Sequence, residues 1–303
     1  MINGIIVINK EKGYTSHDVV ARLRGILHTK KIGHTGTLDP MAEGVLPVCV
    51  GNATKLCDML SGGDKEYEAV MLLGNTYDTL DVTGTLLEKR EVMSTEEEIA
   101  EAVSSFIGGY DQVPPMYSAK KVDGKKLYDL ARSGVTIERK PVFVNIYDIC
   151  ILFTDLPRVG IRVRCGKGTY IRSLIDDIGR KLGCGASMES LVRTASGEYS
   201  INNAYLLSDI EKAMEEDKIS DVIETLDEVF ADLPRFDASP SVSKLVRNGN
   251  VLDGRTVRAA GEDLKMDGGG MIRVYDAADK LCGIYEYKIA DDIFKPYKMF
   301  LSP

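Results

Sequence analysis

An α+β fold is the class this sequence predicts, on three observations. Runs with the two-residue alternation of strands and stripes with the helical period are both present. They do not follow the strict strand–helix–strand alternation of a parallel sheet. From about Pro234 onward, helical stretches give way to short strand-like runs broken by glycine turns. With 303 residues the chain has room for one large domain and a smaller one.

In chain order, residues 4–9 (GIIVIN) are a buried strand. A helix follows, with Ser16 as its N-cap and Val19, Val20, Leu23, Ile26 and Leu27 on one apolar stripe. Residues 30–44 hold three glycines and a proline with little periodicity, and read as a loop. In residues 66–73, Tyr67, Ala69, Met71 and Leu73 share one face of a strand. Thr95 and Glu98 fit a capping box for a helix over 95–107. Its buried stripe is Ile99, Val103, Phe106 and Ile107, and Gly108-Gly109 stops it. Strands are predicted at 142–152 and 159–165. A helix at 171–182 buries Leu174, Ile175, Ile178 and Leu182 ahead of Gly183. The stretch 205–232 is acidic and helical. Beyond it, strand-like runs at 271–275 and 283–289 are separated by turns such as Asp267-Gly268-Gly269-Gly270.

The composition is that of a soluble globular protein, 44% hydrophobic and 28% charged. No apolar run approaches the roughly 20 residues that span a bilayer. No signal-peptide core is present, so a cytoplasmic protein is expected. Its six cysteines include no C-x-x-C pair and its three histidines are scattered, which predicts reduced thiols and no metal site. The net charge of −8 argues against nucleic acid as a partner, but the charge is uneven. Residues 1–60 carry +2 and residues 120–200 carry +6, so the remainder carries −16. That leaves a local basic surface on which a polyanion can sit.

The densest functional candidate is G-H-T-G-T-L-D-P-M-A-E-G-V-L-P, residues 33–47. His34, Thr35, Thr37 and Asp39 crowd a glycine-flexed segment, and Pro40 stiffens the backbone beside the carboxylate. By spacing alone, an Asp before Pro is usually a turn or cap residue.

Residues 33–55 as a whole resemble the signature of the TruB family of tRNA pseudouridine-55 synthases. So do G-I-I-V-I-N-K…G-Y-T-S (4–16), K-E-Y-E-A (65–69), L-G…T-Y-D-T-L-D-V-T-G (73–84) and P-P-M-Y-S-A-K-K…G-K-K-L-Y-D-L-A-R (114–132). R-C-G-K-G-T-Y-I-R-S-L-I-D-D-I-G (164–179) and L-V-R-T-A-S-G (191–197) complete the set, in family order. The resemblance implies that Asp39 is the catalytic aspartate, Tyr67 the active-site tyrosine and Arg172 the arginine paired with the aspartate. It further implies that His34 fills the space left by flipped bases, that Tyr170 and Leu191 line the uracil pocket, and that Lys10 lies near the site. Glu11, Gly166 and Val192 depart from the family's usual pattern.

The fold so implied is a pseudouridine synthase domain over 1–233 around a mixed, mainly antiparallel sheet. A β-rich module over 234–303 is similar in position and size to a PUA-like RNA-binding domain. The implied reaction isomerises uridine 55 in the T-stem-loop of tRNA. It needs no cofactor, metal, membrane or protein partner, and the chain acts as a monomer. Arg158, Arg162, Arg164, Lys167, Lys120, Lys121, Lys125 and Lys126 would hold phosphates. Two rivals stand beside this reading: a tRNA-binding or tRNA-folding protein without turnover, and a guide-RNA-dependent, dyskerin-like synthase.

Overall fold

A computed structural model describes residues 2–118, 120–122, 124–135, 137–260 and 270–301, with the side chains of 121, 122, 125, 126, 132 and 260 excepted. The chain opens with β1 (Gly4–Lys10), α1 (Ser16–Ile26), β2 (Ile32–His34), β3 (Glu43–Val50) and α2 (Cys57–Leu60). It continues with β4 (Lys65–Leu73), β5 (Asn75–Tyr77), β6 (Leu86–Lys89), α3 (Glu96–Ser104) and β7 (Gly108–Gln112). Next come β8 (Lys121–Val122), β9 (Lys125–Lys126), α4 (Leu127–Arg132), β10 (Val142–Asp155), β11 (Arg158–Cys165) and α5 (Ile171–Lys181). After them lie β12 (Ala186–Ser196), β13 (Tyr199–Ser200), α6 (Leu207–Glu215), β14 (Glu224–Thr225) and α7 (Leu226–Val229). The last part holds β15 (Arg235–Asp237), α8 (Pro240–Arg247), β16 (Leu252–Asp253), α9 (Gly254–Ala260), β17 (Met271–Tyr275), β18 (Leu281–Lys288) and β19 (Ile293–Met299).

The large sheet runs β14-β1-β3-β12-β4-β11-β10-β7, with β2 on β3 and β13 on β12. Its pairings are antiparallel except β12 against β3, which is parallel. The sheet is therefore mixed and mainly antiparallel, and the fold is α+β as the sequence predicts. One glycine allows the parallel pairing: Gly44 has φ +100°, and a Cβ there would lie 2.2 Å from the carbonyl oxygen of Arg193. That close approach delivers Arg193 to the segment carrying Asp39.

Several local expectations need correcting. The N-cap of α1 is Thr15, whose extended backbone and side chain form a capping box with Asp18. Ser16 instead turns inward: its hydroxyl accepts from the Leu38 N–H at 2.9 Å and donates to the Leu38 carbonyl. Residues 32–34, read as loop, pair with β3, because each strand offers the other a ladder partner. Helix α3 stops at Ser104, and Gly108-Gly109 begin a strand rather than end the helix. Ile107, predicted buried, therefore sits in the connecting turn and is 51% exposed. The acidic stretch 205–232 is only partly helical, since Glu224 and Thr225 pair with β1. Of the predicted turn at Asp267-Gly268-Gly269-Gly270, residues 267–269 lie outside the described residues.

A second, five-stranded sheet runs β15-β17-β18-β19-β16. It shares a core with the first. Tyr275, Ile284 and Phe300 pack with Ile5, Cys49, Leu56 and Phe230, and the Lys55 ammonium donates to the Met299 and Leu301 carbonyls. Phe300→Ala should therefore cost roughly 3–5 kcal/mol in global stability, read from the urea midpoint. A change within the surface-substitution range of about 0.5 kcal/mol would show that the two sheets stand independently.

Candidate active site

The cavity that gathers the predicted residues has a volume of about 360 Å³ and opens on one side of the large sheet. Asp39, Tyr67, Tyr170, Arg172 and Leu191 all line it. They come from five places: the turn after β2, the strand β4, the residue before α5, the first turn of α5, and β12. Beneath them lies the main core, where α5 packs Leu174, Ile175 and Ile178 against Ala69, Met71 and Val163.

The turn carrying Asp39 is fixed from both sides. Ser16 holds the Leu38 backbone. Lys10 donates to the Pro40 carbonyl at 3.2 Å and to those of Tyr14 and Glu11 at 2.7 and 3.0 Å. The Gly13 N–H also reaches the Pro40 carbonyl. Lys10 is wholly buried, and burial lowers its pKa to about 8. It does not line the cavity, so its contact is with the backbone beside Asp39 rather than with the space a ligand would fill.

Asp39 meets Arg172 at 2.8 Å. Its own side chain is 42% exposed, so the carboxylate is open to a ligand, while Arg172 is only 6% exposed. The guanidinium also lies 3.6 Å from Asp81 and donates to the Thr79 carbonyl at 3.1 Å and the Tyr117 carbonyl at 2.8 Å. Four partners thus fix one planar group, which a point-like ammonium would not satisfy. The guanidinium gives the Asp39 carboxylate a fixed counter-charge and a fixed direction.

Sequence reasoning assigned no role to Arg193 and Lys65, which join the cavity wall. Arg193 is 1% exposed and donates to the Val45 and Gly36 carbonyls. It stands opposite Tyr67 in the β12–β4 register. Burial pushes the Tyr67 phenol above its usual pKa, and a hydrogen bond with Arg193 opposes the rise. Lys65, 8% exposed, donates to the Ser61 and Gly63 carbonyls. The signal available was a cation at the buried phase of an otherwise apolar strand, which for Arg193 is plain once Leu191 is placed inside. Three buried cations around one carboxylate make the cavity net positive, suited to a phosphate-bearing ligand.

Of the other predicted cations, Lys120 and Lys167 line the cavity. Arg158 is paired with both oxygens of Glu189 at 2.7 and 2.8 Å. Arg162 is exposed on the sheet face, and Arg164, also exposed, lies 3.7 Å from Asp64. The side chains of Lys121, Lys125 and Lys126 lie outside the described ones.

His34 ends β2, paired with Val48 of β3, and is not among the residues of the cavity wall. Its ring meets that of His17 edge-on at 5.6 Å, so the exposed His17 on α1 is its neighbour. His28 lies just past α1 with φ +49°. Burial, then the charge of His17, lowers the His34 pKa below 6.5. As pH falls through 6.5, the unfolded chain takes up a proton at this site that the folded chain resists. Stability should therefore decline on the acid side, and His34→Gln should flatten that decline. Urea midpoints between about pH 7.5 and 5.5 check this, since equal slopes would clear His34 of the effect.

The fold is that of a pseudouridine synthase. A model of the TruB family pseudouridylate synthase N-terminal domain matches residues 24–171, and one of the tRNA pseudouridylate synthase B C-terminal domain matches 172–231. A tRNA pseudouridine synthase B of Lachnoclostridium phytofermentans is 49% identical over 99% of this chain and the whole of that relative. One of Clostridium acetobutylicum is 44% identical, covering 98% of this chain and 99% of the relative. The chain belongs to the TruB family of pseudouridylate synthases. Among solved structures, a Cbf5-Nop10-Gar1 complex superposes with a TM-score of 0.70 at 28% identity, covering 98% of this chain and 85% of that one. An H/ACA RNP bound to a substrate RNA containing 2'-deoxyuridine gives 0.69 at 26%, covering 99% and 85%.

Proposed function

We propose that this chain is a tRNA pseudouridine synthase that isomerises uridine 55 of the T-stem-loop, with Asp39 as its nucleophile. The observation that carries the reading is the Asp39–Arg172 ion pair, set in a cavity walled by Tyr67, Tyr170 and Leu191. Relatives covering nearly the whole chain are named tRNA pseudouridine synthase B, which supports tRNA as the substrate.

The chemistry follows from the residues. The N1–C1′ bond breaks, positive charge builds on the sugar, and the open Asp39 carboxylate attacks or stabilises it. The uracil keeps the electron pair of the broken bond, stays in the cavity and turns; C5 bonds to C1′, displacing Asp39 where it had bonded, and the C5 proton is lost as N1 gains one. The leaving group is kept, so no second carboxylate is needed to protonate it. Burial keeps the Tyr67 phenol protonated at neutral pH, so Tyr67 serves as a flat surface for the base and as a hydrogen-bond donor. A uridine stacked in a tRNA loop must be flipped out to reach Asp39. His34 would then fill the vacated stack. The 234–303 module, we infer, binds RNA without joining the chemistry, because the residues of the cavity wall all precede it.

The protein alone, incubated with an unmodified tRNA transcript, should form pseudouridine at one T-loop position, with no guide RNA or partner protein. Chelator should leave turnover on prefolded tRNA unchanged, since the described residues include no cluster of His, Cys, Asp and Glu that could hold a metal ion. A requirement for guide RNA would favour the dyskerin-like reading, and binding without product would favour the binding protein.

A further inference from the structure

One buried amide beside the cavity is not explained by the chemistry above. Gln112 ends β7, is 1% exposed, and does not line the cavity. Its Oε1 accepts from the Tyr170 N–H at 2.8 Å, and its Nε2 donates to the Tyr170 carbonyl at 3.1 Å. The second Nε2 proton goes to the Tyr110 hydroxyl, which in turn reaches Asp177 on α5 at 3.3 Å. Tyr170 has an extended backbone and caps α5 without a side-chain hydrogen bond of its own. The side chain of Gln112 therefore replaces a neighbouring strand for that single residue. A carboxamide can accept from the N–H and donate to the C=O of one residue at once, which an ionised carboxylate cannot.

What this clamp orients is the cavity wall. Tyr170 faces the space where the base would sit, and Arg172, two residues on, holds Asp39. Ser173 is tied to the same segment, donating to the Val113 carbonyl at 2.8 Å. We propose that Gln112 is a positioning residue of the synthase: its amide sets the Tyr170–Arg172 corner, and with it the aim of Arg172 at Asp39. The inference rests on the reading of the chain as a pseudouridine synthase.

Gln112→Glu tests it with an isosteric side chain. An ionised carboxylate accepts from the Tyr170 N–H but repels the Tyr170 carbonyl, whereas the protonated acid donates again. At pH 8 the single-turnover rate at saturating enzyme should fall about tenfold or more, because small misplacements of catalytic groups carry losses of this order. Affinity for tRNA should stay within about threefold, since phosphate contacts elsewhere set it. The deficit should narrow as pH drops to about 6, where a buried carboxyl regains its proton. Gln112→Met keeps the packing but neither bond, and should show the same loss at every pH. Both variants within about twofold of the parent rate per folded molecule, with only stability lowered, would overturn the proposal. So would a deficit of Gln112→Glu that ignores pH. In the parent protein, the Tyr170 amide proton should exchange slowly with solvent, and fast exchange would also sink it even if neither variant folds. A parent enzyme that forms no pseudouridine at all would instead fail the functional reading.

Discussion

An Asp39→Asn variant should fold, bind tRNA and form no pseudouridine. Asparagine keeps the size of the side chain and its capacity for local backbone bonds, so a residue acting only as a turn former would survive the change. The turn does not depend on the carboxylate. It is held by Ser16 on the Leu38 backbone and by Lys10 and Gly13 on the Pro40 carbonyl. What the carboxylate contacts is Arg172, at 2.8 Å, from a position 42% exposed to the cavity. A neutral amide there can neither bond to the sugar carbon nor stabilise its positive charge. Loss of that step costs many powers of ten in rate, each worth about 1.36 kcal/mol. Binding should change by less than about tenfold, because phosphate contacts are spread over many residues. Mapping of pseudouridine in tRNA, with binding measured in parallel, decides it. Product at more than about one part in a hundred of the parent rate would return Asp39 to the role of a turn residue.

How much of this was legible in the sequence follows the range of the interactions. Helix α3 and its capping box could be read because Thr95 and Glu98 lie three residues apart and the stripe repeats locally. The strand face of Tyr67, Ala69, Met71 and Leu73 was legible for the same reason. Ser16 was misread as a cap because its true partner, Leu38, is 22 residues away. The pairing of residues 32–34 with β3 was hidden because a strand of three residues carries no period. At the site, the spacing of residues 33–47 showed only a polar, glycine-flexed segment, and the resemblance to a family supplied the roles. It could not supply Lys10 as a backbone staple, nor Gln112 as a clamp, since both act through carbonyls that no side-chain pattern marks. Arg193 carried a signal, a charge on a buried strand, but its partners Val45 and Gly36 come from across the sheet.

Arg172→Lys should be nearly as damaging as the loss of the aspartate, although it conserves charge. If Arg172 were a phosphate contact on a helix end, lysine would serve almost as well, and any loss would appear in affinity and vary with salt. The guanidinium is instead 6% exposed and meets Asp39, Asp81 and the carbonyls of Thr79 and Tyr117 at once. A lysine ammonium is a point charge whose donors diverge from one atom, so it cannot span these partners. If it settles between Asp81 and the carbonyls, Asp39 loses its counter-charge and its orientation. If it reaches Asp39, two partly buried carbonyls lose their donors, at about 1 kcal/mol or more each. Either way the transition state loses more than the ground state, because charge on the sugar develops only after the base begins to leave. The expected result is a fall in single-turnover rate of about 10²–10³, the size seen when one preorganised electrostatic group is removed. Affinity for tRNA and its dependence on salt should stay close to those of the parent. A variant with parent rate and a shallower salt dependence would move Arg172 from the carboxylate to the phosphates.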